Sequence, residues 1–182
     1  METALILCMD VQYCDATADV AGVGLIDLAQ PHSTVERVER SPSPAAPYEP
    51  GQFYKRELPL LLHMIDCIAQ THPVSTVIVD GHVWLREQQP GLGAHLHQAL
   101  GGRVAVIGVA KSAFHEGIAV PVRRGDSQKP LWITSAGLDV TQAADAILRM
   151  HGPHRIPTLL KRADSLARHL IAPGASSIPR GD

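Results

Sequence analysis

Thr3-Ala4-Leu5-Ile6-Leu7-Cys8-Met9-Asp10 is the stretch that decides the fold. The unbroken apolar run from Ala4 to Met9 reads as a strand buried on both faces, the pattern of a central strand in an α/β sheet. No basic residue precedes it and Asp10 closes it, so it is neither a secretion signal nor a membrane span. A second run, residues 74–79, closes in the same way on Asp80. A lone carboxylate at the end of a buried parallel strand must be solvated, paired or bound to metal, because an isolated charge there is costly. Arg56 and Lys111 are the candidate ion-pair partners. Two such carboxylates on neighbouring strands also repel each other, and a divalent cation removes that conflict.

Outward from the first strand, residues 19–28 and 33–40 read as short strands joined by hairpins. Residues 41–52 hold four prolines in twelve positions and read as an ordered loop. In residues 56–70, Leu58, Leu61, Leu62, Ile65 and Ile68 recur at helical spacing, with Pro59 suited to the first turn and Glu57 beside it. The strand at 74–79, a polar loop, a helix at 92–100 and a strand at 104–109 imply parallel strands with a right-handed crossover. Strands at 118–123 and 131–134 precede helices at 140–150 and 158–171. Three antiparallel strands, a helix, then alternating parallel strands and helices form the order of the ribonuclease H-like α/β fold, a mixed central sheet with flanking helices.

The chain has 182 residues, 45% of them hydrophobic, enough for one domain over residues 1–172 with a mobile tail at 173–182. Seven aromatic residues leave the core to Leu, Ile, Val and Ala. Cys8, Cys14 and Cys67 form no CxxC pair and read as buried small hydrophobes in a cytoplasmic protein. Formal net charge is −2, which argues against bulk positive charge as the means of holding nucleic acid. The balance is −7 over residues 1–80 and +5 over residues 81–182, as an acidic metal site facing a basic surface for a polyanion would require.

Asp10-Val11-Gln12-Tyr13, Pro47-Tyr48-Glu49-Pro50-Gly51, Phe53-Tyr54-Lys55-Arg56-Glu57, Val79-Asp80-Gly81 and Ile107-Gly108-Val109-Ala110-Lys111-Ser112 resemble, in order and near-family spacing, the successive motifs of the endonuclease V family. Weaker echoes fall at residues 91–95, 129–137, 156–157 and 163–164, so the likeness runs from about residue 3 to 168. Enzymes of that family nick nucleic acid near inosine with a magnesium ion on a ribonuclease H-like fold. The resemblance implies that Asp10, Glu57 and Asp80 are catalytic carboxylates holding Mg²⁺, with Mn²⁺ able to substitute, and that Lys111 is catalytic beside the phosphate. It makes Tyr48, presented by Pro47, a wedge that fills the gap left by a turned-out base. Gly81, His82, Arg86 and Ser112 join Tyr48 and Pro47 as substrate-binding residues. The partner is nucleic acid, DNA with RNA as the alternative, with no membrane and no protein partner indicated.

This chain departs from the family pattern at Val83, Arg86, Glu49 and Leu138. Arg86 stands where the family has a histidine, and a guanidinium clamps phosphate but does not shuttle protons. The metal-binding acids are untouched, so the changes bear on base specificity. The competing expectations are a ribonuclease H-like nuclease selecting flaps, mismatches or single strands, and a nucleic-acid-binding protein that does not cut.

Overall fold

The computed structural model describes residues 3–14, 17–41, 54–114 and 118–169. β1 (Leu5–Cys14), β2 (Thr17–Leu25) and β3 (Val35–Arg40) form an antiparallel meander. α1 (Tyr54–Ala69) leads to β4 (Val74–Asp80), which lies parallel to β1. A small hairpin of β5 (Trp84–Arg86) and β6 (Gln89–Pro90) precedes α2 (Leu92–Ala99) and β7 (Ala105–Ala110), which is parallel to β4. β8 (Val120–Val122), β9 (Leu131–Ala136), α3 (Val140–Arg149) and α4 (Thr158–Ala167) follow. The seven-stranded sheet runs β3-β2-β1-β4-β7-β9-β8. Cys8, Ile78 and Ile107 on one face pack with α3 and α4, while Leu7, Val77 and Val106 on the other pack with α1 and α2. This is the mixed α/β, ribonuclease H-like sheet expected from the element order.

Several boundaries differ from the sequence expectation, each for a local reason. β1 does not end at Asp10: it pairs with β4 only as far as Met9↔Val79, then continues to Cys14 as one arm of the β1–β2 hairpin. Asp10 thus sits where the strand loses its neighbour on one side. α1 starts before residue 56, so Pro59 lies inside the helix rather than in its first turn. The polar loop after β4 contains the β5–β6 hairpin. β9 runs antiparallel to β7, because no crossover helix separates them. Cys8 is buried and its thiol is pushed well above its usual range by desolvation, whereas Cys67 is only half-buried. Among the described residues, no helix is long and apolar enough to cross a membrane. The proline-rich loop and the tail at 173–182 lie outside the described residues.

Candidate active site

α1 places Glu57 by helical phase. Leu61, Met64, Ile65 and Ile68 form the helix's buried face, and Glu57, one turn before Leu61, leads that stripe into the protein. It is 8% exposed, an acid on an otherwise apolar face. Asp10 and Asp80 come from the sheet, at the point where β1 and β4 part. The three carboxylates line one cavity of about 280 Å³ with Met9, Val11, Leu61, Val79 and Leu92.

The electrostatics show the convergence. Burial raises Glu57 from 4.5 to about 8, and the negative charges of Asp10 and Asp80 add to the rise, with Arg56 opposing it. Asp10 is raised from 3.8 to about 6, first by desolvation, then by Asp80 and Asp164, against Arg168 and Lys111. Among the described residues, no three His, Cys, Asp or Glu side chains stand close enough together to hold a metal ion between them. The donor set is nonetheless hard oxygen throughout and carries excess negative charge, the chemistry that suits Mg²⁺.

Cations meet the acids from the next strand. Asp80 pairs in register with Val109 on β7, and Gly81 N–H donates to Val109 O at 3.0 Å, which brings the residues after β7 beside Asp80. Lys111 Nζ stands 3.6 Å from Asp80 Oδ2, an exposed pair of side chains. Gly81 adopts φ +122°, and a side chain there would meet open space, so the backbone conformation rather than crowding calls for glycine. Gly108 is the opposite case: a Cβ would fall 2.6 Å from Gly81 O and 2.7 Å from Val83 N. His82 Nε2 donates to Ser112 O at 3.0 Å, linking the segments after β4 and β7.

Not every candidate joins this group. Arg86 lies on the β5–β6 hairpin and lines a separate surface groove with Trp84, Glu87, Gln88 and Ile118, so the structure does not bring it to the carboxylates. Val83 is fully buried and packs against α2 instead of facing the mouth. Trp84 donates its indole N–H to Ser135 O at 3.0 Å and Tyr54 stacks on His95 with centroids 3.7 Å apart, so both serve packing. Pro47 and Tyr48 lie outside the described residues.

Two residues that sequence reading passed over reach the site from the C-terminal part of the chain. Asp164 on α4 lines a second cavity, of about 240 Å³, together with Asp10, Asp80 and Lys111, and forms ion pairs of 2.6 Å with Lys161 and with Arg168. Its membership of the 163–164 echo was the available signal. Arg155 donates through Nη2 to Lys111 O at 2.6 Å and Pro130 O at 2.7 Å, anchoring the backbone of the lysine. No sequence pattern marked it.

The sheet is ribonuclease H-like, with Asp10 and Asp80 where β1 and β4 part and Glu57 lining the same cavity from α1. The family model of endonuclease V matches residues 1–137. An endonuclease V of Streptomyces avermitilis is 26% identical over 184 residues, covering 90% of this chain and 79% of the relative. One of Rhodospirillum centenum is 30% identical over 143 residues, covering 66% and 58%. The crystal structure of the Streptomyces avermitilis enzyme superposes with a TM-score of 0.73, covering 92% of this chain and 81% of that one. Endonuclease V of Ciona intestinalis, in complex with a 24mer DNA containing an inosine followed by a ribo-adenosine, shares the fold at 16% identity and TM-score 0.73, covering 92% of this chain and 85% of that one. The chain belongs to the endonuclease V family and is an endonuclease by that membership.

Proposed function

We propose that this protein is a Mg²⁺-dependent endonuclease that hydrolyses a phosphodiester near inosine in DNA, with RNA as the alternative substrate, in the cytoplasm. The observation that carries the reading is the convergence of Asp10, Glu57 and Asp80, from three separate elements, on one cavity with Lys111 at its edge. Asp10, Glu57 and Asp80 would hold the Mg²⁺, with Mn²⁺ able to replace it, and the bound ion supplies Lewis acidity to the scissile phosphate and its attacking water. Burial and the neighbouring acids raise Glu57 to about 8, so it would have to give up a proton to serve as a ligand, and metal uptake would release acid. Lys111, held by Arg155 through its backbone, puts a positive charge beside the phosphate oxygens.

Gly81 and the 111–114 loop, joined by the His82 to Ser112 contact, would border the deaminated base, where a glycine lets a purine approach main-chain groups. Tyr48, presented by Pro47, would fill the stack that the base leaves. Arg86, on the outer groove, is suited to a phosphate contact further along the strand. The test uses labelled oligonucleotides, DNA and RNA, with and without inosine, in Mg²⁺, Mn²⁺ or chelator. Cutting confined to inosine strands with metal is expected. Cutting that ignores inosine overturns the specificity, and no cutting in any metal leaves a binding protein.

A further inference from the structure

The second cavity at the mouth shares Asp10 and Asp80 with the first but carries more aliphatic side chains in its lining. It lies on the α4 side of the sheet, where Val109, Leu131, Ile156 and Leu160 share its lining with Asp10, Asp80 and Asp164. Val109 and Leu131 are buried. Ile156 and Leu160 pack against the same core yet remain only half-buried, which leaves aliphatic surface facing the cavity beside Asp10 and Asp80. Apolar surface held open next to a charged reaction centre needs an occupant with a hydrophobic face.

The volume narrows the choice. At about 240 Å³ the cavity is smaller than the roughly 300–1,000 Å³ of pockets that enclose a whole drug-sized ligand. One flat ring system suits it better than a complete nucleotide. In a nucleic-acid strand the sugar and phosphate are polar and charged, so the base is the part with an apolar face. Lys111 and Lys161 also line it, paired with Asp80 and Asp164, and offer positive charge to the phosphates on either side of an inserted base. The position expected for the deaminated base, at Gly81, is elsewhere: Gly81 O and Val83 N lie over Gly108 on the face that α2 covers.

We propose that this cavity is a second nucleobase subsite, which takes the base of a nucleotide flanking the scissile phosphate and grips it between aliphatic walls. The inference rests on the nuclease reading above. It implies that the strand is held by two bases bracketing the carboxylates, so that the phosphate between them is fixed over the metal ligands before reaction.

The experiment places 2-aminopurine in turn at each nucleotide around the scissile linkage of an inosine duplex. Binding is read with Ca²⁺ in place of Mg²⁺, since Ca²⁺ takes the same oxygen ligands with a looser geometry. A severalfold rise in fluorescence at one position next to the scissile linkage is expected, as that base leaves the stack. Leu160→Phe and Ile156→Phe, which fill the cavity, should remove the rise and increase KM about tenfold, with Mn²⁺ binding by electron paramagnetic resonance unchanged. Ile156→Val gives a graded, smaller effect if the larger side chains prevent folding. A flat fluorescence profile in a protein that cuts inosine strands, or filled variants that fold and keep the wild-type KM, overturns the subsite and leaves the nuclease reading standing. A protein that cuts no oligonucleotide in Mg²⁺ overturns both.

Discussion

Replacing Glu57 by Gln should stabilise the metal-free protein, and the gain should grow with pH. Glu57 is buried, and its carboxyl is raised from 4.5 to about 8 by desolvation and by Asp10 and Asp80. Between those two pH values the folded chain keeps a proton that the unfolded chain has released, so the stability falls as pH rises. The penalty is absent below 4.5 and complete above about 8. At about 1.4 kcal/mol per pH unit the interval corresponds to about 5 kcal/mol as an upper bound. The cavity opens to solvent, and an effective dielectric well above that of a dry interior brings the figure to about 2–3 kcal/mol. For a chain of this size about 2–4 °C accompanies each kcal/mol, so the Gln variant should melt about 5–10 °C above wild type at pH 8.5. The two should converge near pH 5. Asp10, raised to about 6, lowers stability in both proteins over a more acidic window, so the difference between the melting curves isolates Glu57. The assay is far-UV circular dichroism melting in chelator from pH 5 to 9. A difference that is flat across this range, or widens toward acid, refutes the reasoning. Adding Mg²⁺ at pH 8.5 should raise the wild-type Tm and move the variant far less.

Three further outcomes can be checked on the same scaffold. Asp80→Ala should abolish cutting while shifting stability by no more than about 0.5 kcal/mol, because the side chain is largely exposed; wild-type cleavage rates would show the metal site to be misplaced. Gly108→Ala should cost about 1–3 kcal/mol by chemical denaturation, since the added methyl meets backbone atoms of Gly81 and Val83 that cannot rotate away. Arg155→Ala should lower kcat about tenfold with KM nearly constant, as Lys111 loses its backbone anchor; a rise in KM at constant kcat would assign Arg155 to substrate binding instead.

The strand that opens the chain was legible because six apolar residues in a row leave few alternatives, and the helical spacing from Leu58 to Ile68 marked α1 with Glu57 near its start, though not that Glu57 shares the buried face. The length of β1 was not, because its last residues gain their order from pairing with β2, a partner the apolar pattern of β1 does not announce. The β5–β6 hairpin escaped notice for a similar reason: it is short, and Gln88 takes a left-handed φ of +60° at its turn, where glycine or asparagine would have signalled one. That hairpin also carries Arg86, expected among the substrate-binding residues, into a groove separate from the carboxylates. Asp164 and Arg155 lie far along the chain from Asp10, and only the packing of α4 and its preceding turn against the sheet brings them to the mouth.

The division of charge along the sequence acquires a physical sense in the folded chain. The first 80 residues carry the excess acid, and Asp10, Glu57 and Asp80 all come from them. Lys111, Arg155, Lys161 and Arg168 come from the basic remainder, and the sheet order sets β7 and α4 against β4 and β1. The two sets do not simply cancel. Asp10 stays raised although Arg168 and Lys111 pull the other way, so burial and neighbouring acids dominate at the mouth while the cations stand at its edge. An acidic centre attracts a divalent ion, and a basic edge offsets the repulsion that the same acids would exert on an incoming phosphate. Neutralising the edge, as in Lys161→Gln, should therefore weaken oligonucleotide binding and flatten its salt dependence while metal affinity holds or rises. A parallel loss of metal affinity in isothermal titration would mean that the cations serve the acids' geometry instead.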